Sequence, residues 1–96
     1  MEIIRPDGKK EVITTITENS KKATIFRHFK GKEYKIMTIA KDAETLQDMV
    51  VYEGQYENNP CWVREKENFF SLVDNKKYPN ITQKYRYEII NNEEEA

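Results

Sequence analysis

Trp62 and Arg64 stand two residues apart in the segment CWVR, so on an extended chain their side chains point to one face. Tyr52 and Tyr56 share a face of the segment just before it in the same way. Brought together, the four would make an aromatic pocket closed by a guanidinium, suited to a planar or anionic ligand. Stacking one nucleobase on such a surface contributes about 1–3 kcal/mol. The competing assignment makes Trp62 and Tyr52 core residues and sends Arg64 to the rim beside a carboxylate, because buried arginine is rare unless paired. His28 is the only histidine and could act as a general base near neutral pH. Its motif supplies no obvious serine or cysteine nucleophile, so a strand-end histidine bonded to backbone is the plainer account, and no catalytic residue is assigned.

The other reactive residue types say less. Cys61 is the only cysteine, so the chain has no internal disulfide, and a small core filler is the natural role for it. One histidine and one cysteine do not make a zinc site. Asp42, Glu44 and Asp48 form an acidic loop without the ligand series or central glycine of a calcium loop. Loop solvation, or Thr45 bonding its own backbone, explains them better. Gly8, Gly31 and Gly54 are too far apart for a phosphate-cradling loop. No metal and no cofactor is expected. Arg27, Lys30, Lys32, Lys35 and Lys41 interleave with Phe29 and Tyr34. That pattern fits a cationic, aromatic edge for nucleic acid, or lysines that keep an edge strand from pairing. The net charge of -1, from 16 basic and 17 acidic residues, gives no global reason to expect nucleic acid or a membrane.

The elements that must position these residues read as β-structure. A chain of 96 residues is one domain with a thin core, which six tyrosines, four phenylalanines and one tryptophan help to fill. Residues 1–4 and the β-branched run Glu11–Thr17 flank a Pro-Asp-Gly turn, an N-terminal hairpin. A polar linker, Glu18–Lys22, follows. Strands are expected over Thr24–Phe29, Tyr34–Lys41, Asp48–Tyr56 and Cys61–Arg64, with Gly31 in the first turn and Gly54 at a bulge or sharp bend. Glu65–Phe70 lacks β-branched residues and reads as a helical turn that folds Phe69 and Phe70 inward. Ser71–Val73 is extended, and Tyr85–Ile90 is a closing strand. Tyr34, Ile36 and Ala40 fall on one face of the second strand, and Met37 and Ile39 on the other. Apolar residues on both faces suit the curved strands of a small closed barrel. The expected fold is mainly β: a small SH3-like barrel of five or six short strands, with one helical turn and an N-terminal hairpin. Residues 1–23 form the hairpin extension and linker, 24–90 the barrel, and 91–96 an acidic, disordered tail. No apolar run is long enough to span a membrane and no signal-peptide core is present, so a cytoplasmic protein is expected.

The central segment is more specific than its periodicity. HFKGKEYKIMTIAKDAETLQDMVVYEGQY, followed by CWVREKENFF, resembles a family of small bacterial proteins catalogued as domain of unknown function 1653. The matching positions are His28, Phe29, Lys30, Gly31, Tyr34, Glu44, Thr45, Val50, Val51, Tyr52, Tyr56, Trp62, Val63, Arg64 and Phe69. The resemblance covers about residues 25–73 and extends toward residue 90, which makes the segment before Ala23 an addition to the shared domain. It implies kinship and no activity. In this family a proline usually follows W-V-R, where this chain has Glu65. A histidine usually precedes the E-T pair, where it has Asp42 and Ala43.

The functional expectation is a non-catalytic binding module, with Tyr56, Trp62, Arg64, His28 and Tyr34 around its site. Its ligand would be a nucleotide or RNA segment, or a partner protein. One alternative is a small enzyme on a nucleotide-like or amide substrate, using His28 with a carboxylate such as Glu44. Another is a structural homo-oligomer joined through exposed aromatics.

Overall fold

The computed structural model describes residues 1–17 and 20–92. Its elements are β1 (Glu2–Ile4), β2 (Lys10–Val12), β3 (Thr24–His28), β4 (Glu33–Lys41), β5 (Asp48–Gly54), β6 (Cys61–Glu65), the single-turn helix α1 (Lys66–Phe69) and β7 (Tyr87–Asn92). The chain is mainly β, as its β-branched and aromatic runs require. β1 and β2 pair as a hairpin, and the other strands form one antiparallel sheet in the order β6-β5-β4-β3-β7.

That sheet is strongly curled. β5 and β7 are three strand spacings apart, about 14 Å on a flat sheet. Yet the hydroxyls of Tyr52 and Tyr87, one on each strand, are 3.0 Å apart. The curl does not close into a barrel, because β6 and β7 remain edges and do not pair with each other. The concave face is covered instead by the N-terminal hairpin and α1. Ile3 and Ile13 pack with Phe26, Ile36, Val50, Tyr52, Phe69, Phe70 and Tyr87 in one core. The N-terminal hairpin is therefore part of the domain's interior. Arg5 ties it to the sheet: its side chain is fully buried, bonds Glu11 at 2.5 Å and donates to the Tyr87 carbonyl at 2.9 Å.

A β-bulge explains why both faces of the second long strand looked apolar. The β4–β5 register slips between Ile36 and Thr38, which leaves Met37 unpaired. One extra residue restores the phase, so Ile39 lies opposite Val50 and joins Ile36 on the concave face instead of opposing it. The bulge is thus at Met37, and Gly54 simply ends β5. Gly54 is still constrained: a Cβ there would sit 2.5 Å from the Tyr56 ring. The closing strand starts at Tyr87, two residues later than expected, because Tyr85 instead bridges to Leu72. It runs on through Asn91 and Asn92, which were expected in the tail, and residues 93–96 of that tail lie outside the described residues. Of the linker, residues 18 and 19 also lie outside them. Among the described residues no helix is long and apolar enough to cross a membrane.

Candidate functional site: an aromatic cleft with a cationic rim

The turn after β3 sets one wall. Gly31, at φ +110°, lets the chain reverse with Gly31 N–H bonded to the His28 carbonyl at 2.7 Å and His28 N–H to the Lys32 carbonyl at 2.9 Å. This places His28, Phe29, Lys30 and Lys32 at the mouth of the concave face. The His28 ring stacks on Phe29 at 4.3 Å and meets Tyr87 edge-on at 4.8 Å. Its Nδ1 accepts the Lys30 backbone N–H at 3.0 Å. Burial, then the positive charges of Arg64, Arg86 and Lys30, push its pKa down to about 4. His28 is therefore neutral at pH 7, with its proton assigned to Nε2 because Nδ1 is an acceptor.

Tyrosines make the floor. Tyr34 sits with ring centroids 5.3 Å from Tyr52, 5.6 Å from Tyr87 and 5.8 Å from Tyr56. Burial, then its hydrogen bond with Tyr56, holds the Tyr34 phenol well above its ordinary pKa. Arg64 reaches across from β6. Its Nε donates to the Tyr52 hydroxyl at 3.3 Å, Nη1 to Asn68 Oδ1 at 2.6 Å, and the guanidinium lies 5.7 Å from the Tyr87 ring centre. Arg64 thus faces the cleft with phenols and an amide as partners, and no carboxylate neutralises it among the described residues. Trp62 Nε1–H donates to the Tyr56 hydroxyl at 3.0 Å, and Lys32 Nζ lies 4.3 Å over the Tyr56 ring.

These groups enclose an open cleft of about 390 Å³. His28, Tyr34, Trp62 and Arg64 line it. Tyr56 stands behind Trp62 as a brace. The remaining lining is Phe29, Lys30, Lys32, Tyr52, Tyr78, Arg86 and Tyr87. Arg86 and Tyr87 join because β7 pairs with β3, His28 opposite Tyr87. Alternation along YRYEII separates Tyr87 from Arg86 and Glu88, but only the pairing shows which strand Tyr87 faces. Tyr78 comes from a loop and carries no sequence signal. Its ring packs 4.8 Å from Phe29.

Several expectations are corrected. Trp62 is not core: it is 48% exposed, whereas Tyr52 is buried. Cys61 is exposed too, with its thiol 3.5 Å from the Met37 thioether. Both follow from β6 being an edge strand with nothing packed beyond it. The basic cluster divides. Arg27 pairs with Glu33 at 3.1 Å, Lys41 with Asp48 at 2.6 Å, and Lys35 donates to the Lys21 carbonyl at 2.9 Å. Only Lys30 and Lys32 of that group face the cleft. In the acidic loop Asp42 accepts the backbone N–H groups of Glu44 and Thr45 at 2.8 and 3.0 Å, a turn cap rather than an ion site. No group of three or more metal-ligating side chains occurs among the described residues. A second cavity of about 500 Å³, near Ile4, Pro6 and Phe70, is larger but is lined by Asp48, Glu65 and Glu67 against the single cation Lys66. It offers an anion nothing.

The family described as "Protein of unknown function (DUF1653)" matches residues 24–89, from the first residue of β3 to within β7. The chain belongs to that family. The DUF1653 segment contains the whole five-stranded sheet except the end of β7, together with every residue lining the aromatic cleft. The β1–β2 hairpin lies outside the DUF1653 match although it fills the same core. No curated protein and no solved structure matches the chain.

Proposed function

We propose that this DUF1653 protein is a non-catalytic binding module whose cleft takes a planar, anionic ligand, a nucleotide or a short segment of single-stranded RNA. One observation carries the reading. The cleft lining combines the rings of Phe29, Tyr34, Tyr52, Trp62, Tyr78 and Tyr87 with the cations Lys30, Lys32, Arg64 and Arg86, and includes no carboxylate. Aromatic faces give a base a stacking surface without demanding its identity. Four cations at the rim supply the phosphate contacts. Burial first, and then Arg64, Arg86 and Lys30, hold the His28 pKa low, so the same cations that line the cleft also act on the imidazole within it.

An enzymatic role for His28 fits this geometry poorly. A neutral imidazole has one lone pair, and that of His28 is taken by Lys30 N–H. Its carboxylate partner in that reading, Glu44, is an exposed turn residue that does not line the cleft.

The test is an amide NMR titration of labelled protein at low salt, with nucleoside 5′-monophosphates and short single-stranded RNA. Shifts localised to His28, Lys30, Trp62, Arg64 and Tyr87 are the expected result. Shifts spread over lysines far from the cleft, such as Lys9, Lys21 and Lys41, and erased by moderate salt, would mean charge attraction alone and would refute the reading.

A further inference from the structure

We propose that β6 pairs edge to edge with β6 of a second copy of this chain, making an antiparallel dimer centred on Val63. The inference does not depend on the ligand reading. It starts from which backbone groups β6 leaves open. Gly54 N–H bonds the Pro60 carbonyl at 2.8 Å, and the β5–β6 register pairs Tyr52 with Trp62 and Val50 with Arg64. Strand alternation then turns the N–H and C=O of Trp62 and Arg64 toward β5, and those of Cys61, Val63 and Glu65 outward. The N–H groups of all three and the carbonyls of Cys61 and Val63 face no neighbouring strand, whereas the Glu65 carbonyl, at the N-cap of α1, accepts the first bond of that helix. The opposite edge of the sheet is treated differently: the Tyr87 carbonyl of β7 is capped by buried Arg5.

Open edges are normally short, charged or covered, because they template pairing with another chain. β6 instead presents Val63, 63% exposed, at its middle, with exposed Cys61 and half-exposed Trp62 beside it. A two-fold axis at Val63 makes the strand complementary to itself. Outward-facing Val63 meets its counterpart as a hydrogen-bonded pair, and Cys61 meets Glu65 of the second copy on both sides, for about four backbone bonds, since the Glu65 carbonyl is already taken by α1. On the concave face Trp62 comes opposite Arg64 of the second copy, twice, an aromatic against a guanidinium at the closer, non-hydrogen-bonded spacing. No like charges oppose one another. Because Trp62 and Arg64 line the cleft, the two clefts would meet along the join. A strand-to-strand contact of this size is small, so the dimer is a weak one.

Sedimentation equilibrium from about 10 to about 500 µM reads this range of weak association. The apparent mass should rise toward twice the monomer value with concentration. Val63→Lys sets two lysines opposite each other at an already exposed position. It should hold the mass at the monomer value throughout, with its thermal midpoint unchanged. Amide exchange of the unaltered protein needs no variant: protection of Val63 and Glu65 should increase with concentration, while Trp62 and Arg64, already bonded to β5, should not change. A wild-type mass that stays monomeric up to the top of the range would overturn the proposal. So would Val63→Lys dimerising as the wild type does, or concentration-dependent protection confined to β7 or the N-terminal hairpin.

Discussion

Replacing Glu11 by alanine should destabilise this domain more than any other single change on its surface. Arg5 is fully buried, and its Nε bonds Glu11 at 2.5 Å; the Glu11 side chain is itself only 12% exposed. The guanidinium also bonds the Tyr87 carbonyl and lies 4.2 Å from the Tyr85 ring centre, while its Nη1 has no partner among the described residues. Glu11 is thus the only carboxylate among the described residues paired with a cation held away from water. Removing one partner of such a pair costs about 3–5 kcal/mol, because the other charge stays buried. The Lys9–Glu11 contact at 3.9 Å, with Lys9 mostly exposed, adds little to that. A domain of this size has about 5–14 kcal/mol in total. With a urea slope of about 1–2 kcal/mol/M, the midpoint should fall by about 1.5–5 M, followed by far-UV circular dichroism. The double variant Arg5→Met/Glu11→Leu removes both charges and keeps the volume. It should stay within about 1–2 kcal/mol of the wild type. A Glu11→Ala midpoint within about 0.5 M of the wild type, taken with that slope, would refute the reasoning. So would a double variant less stable than Glu11→Ala alone.

Three further outcomes follow from the same geometry. The depressed pKa of His28, about 4 in the fold against 6.5 when free, means that the unfolded chain binds more protons between those values. Its contribution to stability is present above pH 6.5 and is lost as the pH falls toward 4; urea midpoints across that range should decline on acidification, and less so in His28→Gln. Gly54→Ala drives a Cβ into the Tyr56 ring, so Tyr56 must leave Trp62 Nε1 and Lys32. The lost hydrogen bond and ring contact should cost about 1–2 kcal/mol, with a change in Trp62 emission; an unchanged spectrum and midpoint would contradict the brace role of Tyr56. Cys61, exposed on the edge strand, should react with a thiol reagent in the native protein nearly as fast as in denaturant. Strong native protection would contradict its placement.

The strands were legible wherever local chemistry decided them. TIFRH, CWVRE and the Gly31 turn fall within a residue or so of their expected limits, because β-branched content and a positive-φ glycine act locally. The bulge at Met37 was not legible. It arises from pairing between β4 and β5, and its trace in the sequence, apolar residues on both faces, also suits a closed barrel. Exposure failed at Cys61 and Trp62 for a related reason: nothing in CWVRE says that its strand is the last in the sheet. The site residues divide the same way. His28, Tyr34, Trp62 and Arg64 stood out by type and spacing, and they line one cleft. Arg86, Tyr87 and Tyr78 reach it through the β3–β7 pairing and a long loop, which residue type does not announce. The buried Arg5 was invisible for the same reason, since its partner Glu11 and its ring Tyr85 meet only in the folded chain.

The most direct measurement uses Trp62, the only tryptophan, which lines the cleft and is half exposed. Its fluorescence should be followed during titration with adenosine 5′-monophosphate, adenosine alone and inorganic phosphate, in the wild type and in Arg86→Ala. Saturable quenching is expected with the nucleotide. It should be weaker with adenosine, absent with phosphate, and weakened about tenfold or more in the variant, the loss of one charge-assisted contact. Linear quenching by every adenine compound, the same in both proteins, would contradict an aromatic cleft with an anion-binding rim.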